Sequence, residues 1–245
     1  MATTYTITIK NKSFAKQSFM LFQSLPRPAN LPQDNVFTNV YQRSPQIVGD
    51  RDSKAEFKVT TQYWAVYGTS KKSDDGMVQI TTSDWREATL GPKGSLFVLG
   101  TLNGNDGKPD GVSPDFKSED KSTAAGGAFT VRTDGTFSVL NPGDIYFGIG
   151  AKDPKSGDII PIQSYRAQPN VISQIFPRIK YYVAFGHYEP GTIVSMAELG
   201  QVLEIDFTGA PGHNALFTLD TNNNYEADPK VNQTGIKWKQ LESVQ

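Results

Sequence analysis

Three observations predict an all-β fold for this chain. Apolar and polar residues alternate with a period of two through most of its 245 residues. Clusters of Gly, Pro, Asn and Asp punctuate those runs. Only one short stretch carries helical spacing. Together they predict an antiparallel β-sandwich, one large or two tightly packed, with minimal helix.

The first strand is read at Tyr5, Ile7 and Ile9, which share one face while Thr4, Thr6 and Thr8 share the other. After the polar turn 11–16, Ser18-Phe19-Met20-Leu21-Phe22 is apolar on both faces, which places it centrally in a sheet. Three prolines in Leu25–Asp34 exclude regular structure there. Strands follow at Val36–Gln42, Ala55–Gly68, Met77–Thr82, Leu96–Leu102, Phe129–Arg132 and Phe137–Leu140. The later ones fall at Ile145–Ala151, Ile159–Tyr165, Ile179–Gly186, Val202–Thr208 and Ala215–Leu219.

Turn chemistry connects many of these runs. Thr133-Asp134-Gly135-Thr136 carries an Asp-Gly hairpin signal. Asn141-Pro142-Gly143-Asp144 reads as a type II turn, and Lys155-Ser156-Gly157-Asp158 as a third glycine turn. Residues 127–165 are therefore expected to be a meander of consecutive antiparallel strands. The single helical stretch is 194–200, with Ser195 as N-cap and Gly200 as stop.

The long polar interruption 103–126 reads as a loop. It either decorates a single unit over 1–245 or joins two β-domains, 1–102 and 127–245. The single unit is preferred, because all-β domains reach roughly 200–250 residues.

Composition narrows the chemistry. No cysteine means no disulfide, thiolate metal site or cysteine nucleophile. Charges nearly cancel, 24 basic against 25 acidic, so no overall field favours nucleic acid. No apolar run approaches the ~20 residues of a transmembrane helix. The start of the chain alternates rather than forming a signal-peptide core, so a cytoplasmic protein is expected, a mature secreted form behind Met1 being the alternative. The sequons at Asn11 and Asn232 are read as chance matches.

His187 and His213 are the whole histidine stock and lie at a strand end and in a turn, too few for a zinc site or a triad. There is no nucleophile elbow and no phosphate loop. Glu204 and Asp206 alternate with Leu203, Ile205 and Phe207, so both are expected on a solvated face. No catalytic residue and no bound cofactor is expected, and the chain is read as a non-enzyme.

Asp220, Asn222, Asn224 and Glu226 place oxygens at alternate positions, as at the start of a calcium loop. Tyr225 and Val231 stand where that loop needs Gly and Glu, so an Asx-stabilised turn is the stronger reading and Ca2+ the weaker one. Residues 103–111 imitate such a loop less well.

Aromatic side chains make up 11% of the chain. Tyr63, Ala65 and Tyr67 alternate with Trp64 and Val66, so both faces of that strand carry large groups; core is the preferred location. The same holds for Tyr181, Val183 and Phe185 against Tyr182 and Ala184. Trp85 differs, because its neighbours Thr82-Ser83-Asp84 and Arg86-Glu87 are polar. An indole among polar groups is a candidate to stack on a ligand or partner rather than pure core. Trp85, Arg86, Tyr63 and Tyr67 are thus the candidate binding residues. Trp238, in the basic tail Lys237-Trp238-Lys239, is expected to dock the end of the chain on the body.

The function expected is a non-catalytic, lectin-like binding protein that takes a glycan or small molecule on surface aromatics and loops. The alternative is a structural or self-associating homo-oligomer: storage protein, scaffold or membrane-active assembly. A carboxylate enzyme such as a glycosidase comes third.

Overall fold

A computed structural model of the chain describes residues 2–25, 36–50, 53–74, 76–101, 113–123, 126–137, 145–195 and 199–241. Almost all regular structure in it is β, with large antiparallel sheets packed together as in a sandwich. The proline-rich stretch after Leu25, the turn 141–144, the calcium-loop imitation 103–111 and the middle of the expected helix 194–200 lie outside the described residues.

The strands form three sheets. The first runs β17 (Tyr225–Ala227), β16 (Asn214–Leu219), β1 (Thr4–Asn11), β4 (Lys54–Thr60). The second is the largest. It begins β18 (Lys237–Leu241), β15 (Val202–Asp206), β13 (Lys180–Phe185), β2 (Phe19–Gln23), β3 (Val36–Arg43). It continues β11 (Ile159–Arg166), β10 (Ile145–Lys152), β5 (Tyr63–Lys72), β6 (Val78–Ala88), while β14 (Ile193–Val194) pairs with β3. The third runs β12 (Ile172–Ile175), β9 (Phe129–Thr133), β7 (Gly94–Thr101), β8 (Pro114–Thr123). Every sheet contains strands from before and after residues 103–112.

β2 sits where its two apolar faces require, between β13 and β3, with all five residues buried. The turn at Lys155–Asp158 closes the β10–β11 hairpin, with Gly157 at φ 82°. Several local expectations are corrected. The run 55–68 is two strands, because the chain changes sheet at Thr61-Gln62; Thr61 Oγ1 accepts the Thr3 amide at this corner. The meander fails because β9 leaves β10 and pairs in parallel with β7. β1 and β16 are also parallel. Residues 114–123 are not loop but the edge strand β8, whose polar side chains suit an edge. The helix observed is α1 (Pro229–Gln233), started by Asp228, whose carboxylate accepts the Lys230 amide, with Pro229 in the first turn. The tail continues into β18 beside β15, and Trp238 packs edge-on to Phe217 while donating Nε1–H to Asn232.

One core joins the three sheets. It takes Ile7 and Ile9 from β1, Phe57 from β4, Phe97 and Leu99 from β7, Phe129 from β9, Phe147 from β10 and Tyr181 from β13. Two of its buried tyrosines find partners: the Tyr41 hydroxyl donates to the Lys152 carbonyl, and Tyr165 to the Gln163 side chain. Burial pushes the phenols of Tyr41, Tyr165 and Tyr181 above their usual range.

The largest sheet curls back on itself. Gln79 bridges Thr192, and the Ile80 amide donates to the Gly191 carbonyl. Gly191 and Thr192 also exchange hydrogen bonds with Val40 of β3. Strands β3, β11, β10, β5 and β6 and the 191–194 segment therefore close a ring, which removes a free edge along the start of β6. On the enclosed face Trp64, Val66 and Ile159 form a separate buried cluster. Gly150 makes room for it, since a Cβ there would meet both Val66 and Ile159.

Candidate functional site

The ring has a mouth where β6 passes the start of β11. Thr82 Oγ1 donates to the Ile159 carbonyl at 2.8 Å and ties the strands together. Beside that contact lies a cavity of about 360 Å3, lined by Gln79–Ser83, Trp85, Asp158–Pro161 and Pro190. That size suits a small molecule. Trp85 is 47% exposed, against 6% for Trp64, because Trp85 lies beyond the covered part of β6.

The wall mixes one aromatic plane with hydrogen-bonding groups. Gln79 Nε2 donates to the Pro190 carbonyl, which leaves its side-chain oxygen as an acceptor. Thr81 and Ser83 are exposed hydroxyls. The exposed Asp158 carboxylate has no ion-pair partner among the described residues. Ile159 and Pro161 supply an apolar floor. The set can accept hydrogen bonds and stack a ring.

The four residues singled out for binding do not converge. Arg86 is opposite Ala65 in the ladder and Trp85 opposite Val66, so they project to opposite faces of β6. The Arg86 guanidinium is held by Asp84 at 2.7 Å and lies 5.4 Å from the centre of the Phe116 ring. Tyr63 and Tyr67 are core residues. Tyr67 packs edge-on to Phe116, and burial raises its phenol pKa. Burial likewise pushes the Tyr63 phenol up to about 12, with Tyr181 and Gln23 as polar neighbours.

Asp220, Asn222, Asn224 and Glu226 sit at the β16–β17 hairpin. The Asp220 carboxylate accepts the amides of Asn222 and Asn224 at 2.8 and 2.7 Å, and Asn223 takes a left-handed φ of 62°. This is an Asx-turn pattern, with the oxygen turned toward its own backbone. Those amides hold the Asp220 carboxyl below the usual carboxylate range. Among the described residues no three His, Asp or Glu side chains converge as metal ligands. His187 and His213 are exposed at separate places, His213 edge-on to Tyr5 and His187 beside Tyr188.

Glu204 is not on a solvated face. Its side chain is only 12% exposed and lies 3.0 Å from Lys180 Nζ and 3.6 Å from Lys239 Nζ. The strands β13 and β18 that flank β15 bring those lysines over it. Burial works against the Lys180 ammonium, but the Glu204 carboxylate outweighs it, aided by Tyr182 and Asp206. The group is held above the usual lysine range. A pKa raised by folding contributes stability in full below the unfolded lysine pKa, and that stability is lost as pH rises through the folded value. Glu204→Gln is therefore expected to cost about 2 kcal/mol near neutral pH. Relative to that variant, the wild type should lose its advantage as pH rises beyond the ordinary lysine pKa of about 10.4. Urea melts from neutral pH to beyond that value check both; parallel curves would refute the pairing.

The amino-acid sequence matches the RhiA family over residues 2–229, which takes in every strand of the fold except β18. The chain belongs to the RhiA family. No curated protein and no solved structure matches it. In this RhiA-family chain, Trp85 and all its cavity partners fall inside the matched region, as do Glu204 and Lys180. Trp85 alone of these could be singled out beforehand, from its polar setting. Asp158, Pro161 and Pro190 carried no local signal, because they reach Trp85 only through the curl of the largest sheet.

Proposed function

We propose that this protein is a non-catalytic binding protein whose ligand is a glycan seated on Trp85. The observation that supports this reading is a half-exposed indole at the rim of a cavity whose polar groups are hydroxyls, an amide and a carboxylate. A sugar ring offers an apolar C–H face for the indole and hydroxyls for Asp158, Thr81 and Ser83. Such a site fixes a neutral polar ring without needing a net charge. No described helix is long and apolar enough to cross a membrane.

A glycan array followed by tryptophan-fluorescence titration tests the reading. At least one glycan class should quench or shift the emission in a saturable way. Trp85→Ala, which lacks the reporting indole and is therefore titrated by calorimetry, should weaken that binding by about tenfold or more, because the stacked aromatic contributes roughly 1 kcal/mol or more on top of its buried area. Silence across a broad array, or equal binding by the variant, would refute it.

A further inference from the structure

A second cavity, of about 560 Å3, opens on another part of the molecule, where the ends of the three sheets meet. Thr61 and Tyr63 enter it from the corner between β4 and β5, and Leu90 and Gly127 from the segments before β7 and β9. Pro177, Arg178 and Ile179 come from the link between β12 and β13, Lys180 from the start of β13, and Asp206 from the end of β15. It is larger and more apolar than the Trp85 cavity. Leu90 and Ile179 pack against the main core yet are only partly buried, so each keeps an apolar surface toward the cavity.

Its charges are unequal. Arg178 is exposed and has no acidic partner among the described residues. Lys180 stands next to it, also at the cavity, and reaches Glu204 with its ammonium. The one acid in the lining, Asp206, already accepts the Thr208 amide at 2.8 Å. Lys180 is thus matched by Glu204, and Arg178 is the cation of the lining without an acidic partner. One anionic group is favoured, and a second would meet Asp206 and Glu204. The same lining includes Leu90, Pro177 and Ile179, which offer nothing to a polar body and an apolar wall to a hydrocarbon.

We propose that this cavity binds a small monocarboxylate with an apolar body. The carboxylate sits on the Arg178 guanidinium, a planar fork suited to two parallel hydrogen bonds, and the hydrocarbon covers Leu90 and Ile179. The site is independent of the Trp85 cavity, with which it shares no lining residue.

Octanoate and 1-octanol, titrated into the full chain and followed by calorimetry and amide NMR, test this. Octanoate should give saturable shifts at Gly127, Ile179 and Lys180 and bind about tenfold or more tightly than 1-octanol. Arg178→Gln should weaken octanoate by a similar factor. The exposed Arg178 side chain can be replaced without disturbing the core, and its backbone carbonyl still accepts the Gln23 amide. Trp85→Ala should leave octanoate binding unchanged, which separates this site from the glycan reading. No saturable shift, equal affinity for octanol, unchanged affinity in Arg178→Gln, or shifts centred on Trp85 would each overturn the proposal.

Discussion

Phe147→Ala should lower the unfolding free energy by about 3–5 kcal/mol, the range for deleting a buried aromatic ring from a close-packed core. Phe147 is 1% exposed and stacks on Tyr165, ring centres 5.4 Å apart and planes 28° from parallel. It lies in β10, held on both sides by β5 and β11, so the backbone cannot move in to refill the space. Tyr165 would keep its hydrogen bond to Gln163 and lose its stacking partner. Urea unfolding should show a lower midpoint with an unchanged slope. A loss under about 1 kcal/mol would mean that the three-sheet core is loosely packed here.

The neighbouring residue carries an effect of similar size with the opposite cause. Gly148→Ala would place a Cβ 2.0 Å from the Gln163 carbonyl oxygen and 3.0 Å from its carbon. Those are backbone atoms of the paired strand, and no rotamer change moves them aside. The β10–β11 ladder, already irregular at Ile149/Gly150, would have to part, at an expected cost of about 3 kcal/mol or more. β11 carries Ile159 and Pro161, two walls of the Trp85 cavity, so ligand binding should fall together with the melting temperature. Gly126→Ala is the control, since a Cβ there meets nothing within 4 Å. If both variants melt alike, the close approach of β10 to β11 is wrong.

Much of the strand content was readable locally. The alternation of Tyr5, Ile7 and Ile9, and the two-faced apolar run at Phe19–Phe22, state their own burial, because side-chain direction in a strand follows from position alone. Pairing was not readable in this way. β9 and β10 lie close in sequence yet in different sheets, since choice of partner rests on contacts with residues far along the chain. β8 was hidden because the signal for a strand is apolar alternation, and a sheet edge favours polar side chains instead. Glu204 was misplaced for a related reason. Alternation assigned it correctly to the face opposite Leu203 and Ile205, but whether that face is wet depended on Lys180 and Lys239 from two other strands.

The candidate site divides along the same line. Trp85 stands out among polar neighbours, whereas Asp158 and Pro190 join it only through the curl that brings Gln79 to Thr192 and Thr82 to Ile159.

By itself the sequence determined the all-β class and the absence of thiol chemistry, and it marked Trp85 as the tryptophan in a polar setting, because composition and period-two patterning act residue by residue. Only the tertiary structure decided how the aromatics are shared between core and surface. Both faces of Tyr63–Tyr67 are buried because the sheet closes around one face while two other sheets cover the other. Which face meets water is a property of what packs against it, and that is set by strands distant in the chain.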